Sequence, residues 1–263
     1  MSINKSLTIQ ETFNIAVKNH QEGKTEVAKE LYNRVLKIDP NHSQALKNIA
    51  IIFINLKDFQ KAKECYEKVV EIDPNSADAY YNLGIIFKEL KEYQKAKSYY
   101  EKADDIQPNN TIILTNLGII FNDLGENQKA KYYYEKAIKI NPDNGKARYN
   151  LGAIYKDSGE LQKAKICFKK VIEIDPNEQE AHNSLGVIFQ ELGEYQKAKD
   201  CYEKAIEIKP NYGDVYYNLG QLLHEKREYH LAENYFKKAI QIKPGDMRAV
   251  SYTHLRAHET RHY

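Results

Sequence analysis

Residues 77–110 read ADAYYNLGIIFKELKEYQKAKSYYEKADDIQPNN, and this stretch of 34 residues returns, altered but in register, along the chain. Its proline is one of seven, Pro40, Pro74, Pro108, Pro142, Pro176, Pro210 and Pro244, spaced 34 residues apart with none elsewhere. Self-similarity at such a period marks a repeat architecture. Placing proline at position 32 of the unit gives 9–42, 43–76, 77–110, 111–144, 145–178, 179–212 and 213–246. A leader, 1–8, precedes them and a remainder, 247–263, follows.

The other signals fall into the same frame. Position 20 is Ala28, Ala62, Ala96, Ala130, Ala164, Ala198 and Ala232. Position 24 is aromatic throughout: Tyr32, Tyr66, Tyr100, Tyr134, Phe168, Tyr202 and Phe236. Position 27 is Val or Ala, and position 8 is Ala16 and Ala50, then Gly84, Gly118, Gly152, Gly186 and Gly220, always after Ile or Leu. At 100° per residue, positions 4, 7, 8 and 11 make one stripe of a first helix, as in Tyr80, Leu83, Gly84 and Phe87. Small residues at positions 8 and 20 let two helix axes approach, with the ring at position 24 filling the space left between them. Gly23, Gly125, Gly159 and Gly193 at position 15 suit the reversal between the helices, and Lys57 and Lys91 take that place at a conformational cost. Proline at position 32 ends the second helix. Each unit is therefore a helical hairpin whose apolar back only its neighbours cover.

A 34-residue unit with Leu-Gly early, Ala and Tyr in the middle and Pro near the end resembles the tetratricopeptide repeat (TPR), over residues 9 to 246. The resemblance implies an all-α, right-handed superhelical solenoid of seven helix-turn-helix repeats. Departures are Ala at position 8 in the first two repeats and no tryptophan at position 4, where Tyr80 and Tyr216 stand instead. After Pro244 an eighth repeat starts with Met247, Arg248 and Ala249 and then fails. The run VSYTHLRAHET, residues 250–260, resembles the translation of a transposase-type sequencing adapter and is set aside as an assembly scar, implying that the gene continues past residue 249. His254, His258 and His262 there have the i, i+4, i+8 spacing of metal ligands, but on that reading by accident, and no metal or other cofactor is expected.

The +2 formal charge argues little for nucleic acid, because 247–263 takes three from the 39 basic and one from the 37 acidic side chains and leaves the two signs equal. Apolar runs such as residues 49–53 and 117–121 stop well short of the ~20 residues of a membrane span. The opening 20 residues lack a signal peptide's apolar core, so a cytoplasmic location is expected. Cys65, Cys167 and Cys201 all occupy position 23, a packing position without metal-ligand spacing. No phosphate loop, GxSxG or HExxH occurs, and the histidines scatter over different repeat positions, so no enzyme site is expected.

Positions 2, 6, 9 and 13 lie opposite the packing stripe, the side that resembles the inner wall of a TPR groove. Position 6 is Asn14, Asn48, Asn82, Asn116, Asn150, Ser184 and Asn218. Asparagine is a poor interior helix residue, so its recurrence calls for a reason. An amide offers a donor and an acceptor to an extended backbone of any sequence. This row is similar to the asparagine ladder of the TPR region of O-GlcNAc transferase, a likeness strengthened by Tyr-Asn-Leu-Gly at 81–84, 149–152 and 217–220. The candidate peptide-binding residues are Asn48, Asn82, Asn116, Asn150 and Asn218 with Tyr81, Tyr149 and Tyr217 at position 5. Position 9, mostly Val or Ile, reads as buried between repeats. Position 13 is acidic in Glu89, Asp123, Asp157, Glu191 and Glu225. The Lys/Asn/Lys/Arg clamp of some TPR domains is missing, since Lys47 and Lys146 alone do not compose it.

Three functions remain open: a scaffold that cradles an extended protein or peptide segment, the substrate-selecting arm of an O-GlcNAc-transferase-like glycosyltransferase, and a structural subunit of a larger assembly. An uncovered apolar face on the last repeat is further expected to promote self-association.

Overall fold

The computed structural model describes residues 7–245, and the expected truncated repeat, the histidine trio and the adapter-like run lie outside them. Among the described residues there are fourteen α-helices and no strand. They form two compact units divided between Ile140 and Asn141. The first holds α1 (Ile9–Gln21), α2 (Thr25–Ile38), α3 (Ser43–Asn55), α4 (Phe59–Ile72), α5 (Ala77–Glu89), α6 (Tyr93–Ile106), α7 (Thr111–Asp123) and α8 (Asn127–Ile140). The second holds α9 (Gly145–Asp157), α10 (Leu161–Ile174), α11 (Gln179–Glu191), α12 (Tyr195–Ile208), α13 (Gly213–Glu225) and α14 (Tyr229–Ile242). Each repeat contributes a first, A helix and a second, B helix, and within each unit a B helix also packs on the A helix of the next repeat.

The A–B contact is set by glycine against a ring. A Cβ built on Gly84 falls 2.5 Å from Cε1 of Tyr100, one on Gly186 2.6 Å from Cε1 of Tyr202, and one on Gly220 2.7 Å from Cε1 of Phe236. Real carbon atoms do not approach so closely, so these helices sit where only glycine lets them. The hairpins with Ala16 and Ala50 at this position are correspondingly less closely packed. The ring residues are fully or almost fully buried, as are the position-20 alanines.

The buried face of the A helices is wider than the stripe of positions 4, 7, 8 and 11. Position 3 (Ala45, Ala79, Ile113, Ala147, Ala181, Val215) and position 10 (Ile52, Ile86, Ile120, Ile154, Ile188, Leu222) are also buried. For the A helices that follow a repeat of the same unit, the reason is the second neighbour: a helix packed on its own B helix and on the preceding one buries two flanks. A polar position 4 is used to lock the turn, with Arg148 Nε donating to the Pro142 carbonyl at 2.8 Å and a His182 ring nitrogen 3.0 Å from the Pro176 carbonyl.

Position 15 takes positive φ in all seven repeats: Gly23, Gly125, Gly159 and Gly193 at +73° to +77°, Lys57, Lys91 and Arg227 at +59° to +63°. Lys91 closes the helix as Gly125 does, each followed by a residue whose N–H reaches back 2.8 Å, Glu92 to Phe87 and Glu126 to Phe121. At the other end, the Asp39, Asp73 and Asp175 carboxylates each accept the N–H two residues on, across the proline, at 2.9 to 3.1 Å. A further recurrence is the position-19 lysine over the position-11 ring: Lys61 on Phe53, Lys95 on Phe87, Lys129 on Phe121, Lys163 on Tyr155 and Lys197 on Phe189, at 5.2 to 5.6 Å.

Two stability outcomes follow. Gly84→Ala is expected to cost about 1–3 kcal/mol by overpacking, and adding Tyr100→Leu should return part of that loss in a double-mutant cycle read by urea denaturation. Lys91→Gly and Arg227→Gly should each stabilise by roughly 0.5–1 kcal/mol, the left-handed strain relieved less the extra entropy of an unfolded glycine.

Candidate functional site

The position-6 side chains are neither loose in solvent nor sealed away. Asn48, Asn82, Asn150 and Asn218 are half-buried, Asn14 is exposed, and Asn116 is 7% exposed. Four of them donate an amide N–H within the protein, whereas the Asn14 oxygen accepts from Gln10 Nε2 at 2.8 Å. Asn82 Nδ2 donates to the Asp78 carbonyl at 2.7 Å and Asn116 Nδ2 to the Ile112 carbonyl at 2.8 Å. Asn48 Nδ2 donates to the Tyr32 hydroxyl at 3.1 Å, and Asn218 Nδ2 to Asn183 Oδ1 at 2.9 Å. A carbonyl only accepts, so the amide nitrogen must face it. The expectation of a free donor and a free acceptor is thus corrected: in these four residues a donor is engaged within the protein, and the acceptor oxygen is the group left over in Asn82, Asn116 and Asn218, while the Asn48 oxygen accepts from Gln44 Nε2 at 3.4 Å.

The position-5 tyrosines are built into the same fabric. Tyr81 packs on Tyr100 with centroids 5.7 Å apart, Tyr149 edge-on against Phe168 at 5.4 Å, and Tyr217 on Phe236 at 5.7 Å. Tyr81 and Tyr149 are half-buried, whereas Tyr217 is only 7% exposed. The Tyr81 hydroxyl meets Asn116 Nδ2 at 3.4 Å, and the Tyr149 hydroxyl meets Ser184 Oγ at 3.4 Å. With Asn183 to Asn218, these are three bonds from position 5 of one repeat to position 6 of the next. Ser184, where the asparagine row breaks, is held by the same rung. In the first unit the candidates Tyr81 and Asn116 are thereby brought into contact; in the second, Tyr149 and Asn218 each meet a residue outside the candidate set.

Position 9 departs from expectation. Val17, Ile85, Ile119 and Val187 are half-buried and Ile51 is 40% exposed, so these residues contribute to the surface instead of being sealed between repeats. In the second unit Val187 helps line a cavity of about 240 Å³ with Gln190, Glu191, Tyr202, Asn218, Gln221 and Glu225. These are positions 9, 12, 13 and 24 of one repeat and 6, 9 and 13 of the next. The buried Tyr202 hydroxyl donates to Gln190 Oε1 at 2.9 Å, and Gln190 Nε2 donates to Glu225 Oε1 at 2.8 Å. Gln190 and Tyr202 escaped the sequence reading because positions 12 and 24 were assigned to no surface.

A second cavity, of about 410 Å³, lies at the α9–α10–α11 edge and is lined by Gly145, Lys146, Tyr149, Val171, Ile174, Asp175, Glu178 and Glu180. Here the Glu178 and Glu180 carboxyls hydrogen bond to one another. That bond, with burial, pushes Glu178 up to about 7, while Glu180, which accepts it, is held below the usual carboxylate range. Elsewhere, burial raises the Cys65 and Cys201 thiols to about 11, which suits their packing position. Among the described residues no group of His, Cys, Asp and Glu could hold a metal ion, and no helix is long and apolar enough to cross a membrane.

The sign of the Glu178 effect is fixed by its direction. A carboxyl whose folded pKa is raised contributes stability below its unfolded value, and the contribution is lost as pH rises through about 7. Glutamine keeps a donor for Glu180 at every pH. The melting temperature of Glu178→Gln relative to the parent should therefore rise between pH 5 and pH 8, as checked by thermal denaturation monitored by circular dichroism.

No curated protein matches the chain. Among solved structures it is similar to MamA, 30% identical over 63% of this chain and 97% of the other, with a TM-score of 0.58. YrrB, a TPR protein with an unusual peptide-binding site, is 24% identical over 73% of this chain and 99% of its own, with a TM-score of 0.60. PilF of Pseudomonas aeruginosa is 21% identical over 82% and 97%, with a TM-score of 0.72. Family models described as tetratricopeptide repeat match residues 13–42, 41–109, 77–143, 121–188, 180–212 and 213–246. With the 34-residue period, the glycine-on-ring hairpins and these matches in agreement, the chain belongs to the tetratricopeptide repeat family, a protein-interaction scaffold built from helical hairpins.

Proposed function

We propose that the A-helix faces hold an extended segment of a partner protein by its backbone, with the oxygens of Asn82, Asn116, Asn150 and Asn218 accepting the partner's N–H groups. The observation that carries this reading is the direction of the amide bonds. Asn82, Asn116 and Asn218 spend their nitrogens inside the protein, at 2.7 to 2.9 Å. Each amide is thereby held in one orientation, and an oriented acceptor costs less entropy to use than a free one. Backbone recognition is tolerant of the partner's sequence, and an extended strand brings N–H groups at regular spacing. YrrB, which is similar in fold, is described as having a peptide-binding site.

The recurrence of asparagine at position 6 also supports a second reading, the substrate-selecting arm of an O-GlcNAc-transferase-like glycosyltransferase. Sequencing the gene beyond codon 249 discriminates: a glycosyltransferase segment in frame favours the arm, and its absence favours the scaffold.

The docking mode itself is tested by selecting peptides from a displayed random library on the full chain. A copy of a selected peptide with its backbone N-methylated should bind at least about fivefold more weakly, at ~1 kcal/mol for each hydrogen bond lost. Asn82→Ala with Asn150→Ala should weaken the unmodified peptide similarly while leaving the circular dichroism spectrum unchanged. Affinity indifferent to both changes would remove the asparagine row from recognition.

A further inference from the structure

We propose that the cavity between α11, α12 and α13 receives a lysine or arginine side chain of the bound segment, so that the second unit selects basic partners. This rests on the reading of the A-helix face as the docking face, and adds the chemistry of what docks. The cavity, about 240 Å³, has Glu191 and Glu225 on its walls and no cationic residue in its lining. Neither carboxylate makes an ion pair among the described residues. Some surface acids elsewhere on this chain are paired in place, as Glu160 is to Lys163 at 2.5 Å and Glu207 to Lys204 at 2.9 Å. The two in the cavity are left without a counterion.

Glu225 is also held in position. The Tyr202 hydroxyl fills the Gln190 oxygen and the Gln190 amide fixes Glu225 Oε1, so the relay orients one carboxylate oxygen and leaves Oε2 outside it. Tyr202 has no accessible surface, so the relay is anchored in the core. Val187 supplies an apolar wall for the aliphatic stem of a long basic side chain, which buries its methylenes while its charged head meets oxygen. The surrounding face has the same sign: positions 2, 6, 9 and 13 of residues 141–245 carry Asp157, Glu180, Glu191, Asp214 and Glu225 against Lys146. A like-signed surface raises the local concentration of cationic segments and disfavours acidic ones.

The test uses peptides selected on the full chain, each compared with a copy whose basic residue is replaced by citrulline for arginine or norleucine for lysine. Selected peptides should share one basic position, and its neutral replacement should bind roughly tenfold more weakly, two partly screened ion pairs of up to about 1 kcal/mol each being lost. Glu191→Gln with Glu225→Gln should bind the charged and neutral peptides alike, and the parent's preference should shrink between 50 mM and 500 mM salt. Peptides that are N-methylation-sensitive yet show no basic preference, or a preference that survives the double substitution, overturn this inference and leave the docking face standing. Peptides insensitive to N-methylation, or none recovered, overturn the docking reading and this inference together.

Discussion

The structure depends on one contact, a small residue at position 8, glycine in five of the seven repeats, against an aromatic ring. In the hairpins of Gly84, Gly118, Gly186 and Gly220, glycine at position 8 lets the A helix settle on the position-24 ring at a separation that a methyl group would prevent. With that distance fixed, every A helix that follows another repeat within its unit has a B helix on either flank, and positions 3, 7, 8 and 10 are consumed by packing. What remains for the outside is the narrow set at positions 2, 6, 9 and 13. The face available for recognition is what close packing leaves over.

That face has a polarity of its own. Amide nitrogens turn inward to helix carbonyls and to side chains of the preceding repeat, and the cross-repeat bonds join residues 35 apart, Tyr81 to Asn116, Tyr149 to Ser184, Asn183 to Asn218 and Gln190 to Glu225. Because the repeat is one residue shorter than that separation, successive partners step along the helix. The rungs tie neighbouring repeats together through polar groups at the margin of the core, where an unpaired amide would be costly. The oxygens and carboxylates left outside give the surface the character of an acceptor.

Much of this was legible in the sequence, and the boundary of legibility has a physical cause. The proline period gave the repeat frame, alanine at position 20 and the ring at position 24 gave the hairpin, and Lys57 and Lys91 stood visibly where glycine is wanted. All of these are constraints within one hairpin. Positions 3 and 10 were missed because a helical wheel drawn for one partner cannot show a second. Val187 and Ile51 looked like core because they are aliphatic, although a half-buried margin takes such residues as readily. The Tyr202–Gln190–Glu225 relay was out of reach for the same reason, since it links three helices and two repeats.

The glycine-on-ring contact also governs how such a chain is able to change length. The contact closes within one hairpin, so an insertion or loss of one whole period keeps position 8 opposite its ring, whereas a shift of a few residues would set side chains of the wrong size against it. Growth is thus quantised by geometry. A change of one whole period leaves the interior chemistry of each hairpin constant, much as a chain of links is lengthened without redesigning the link.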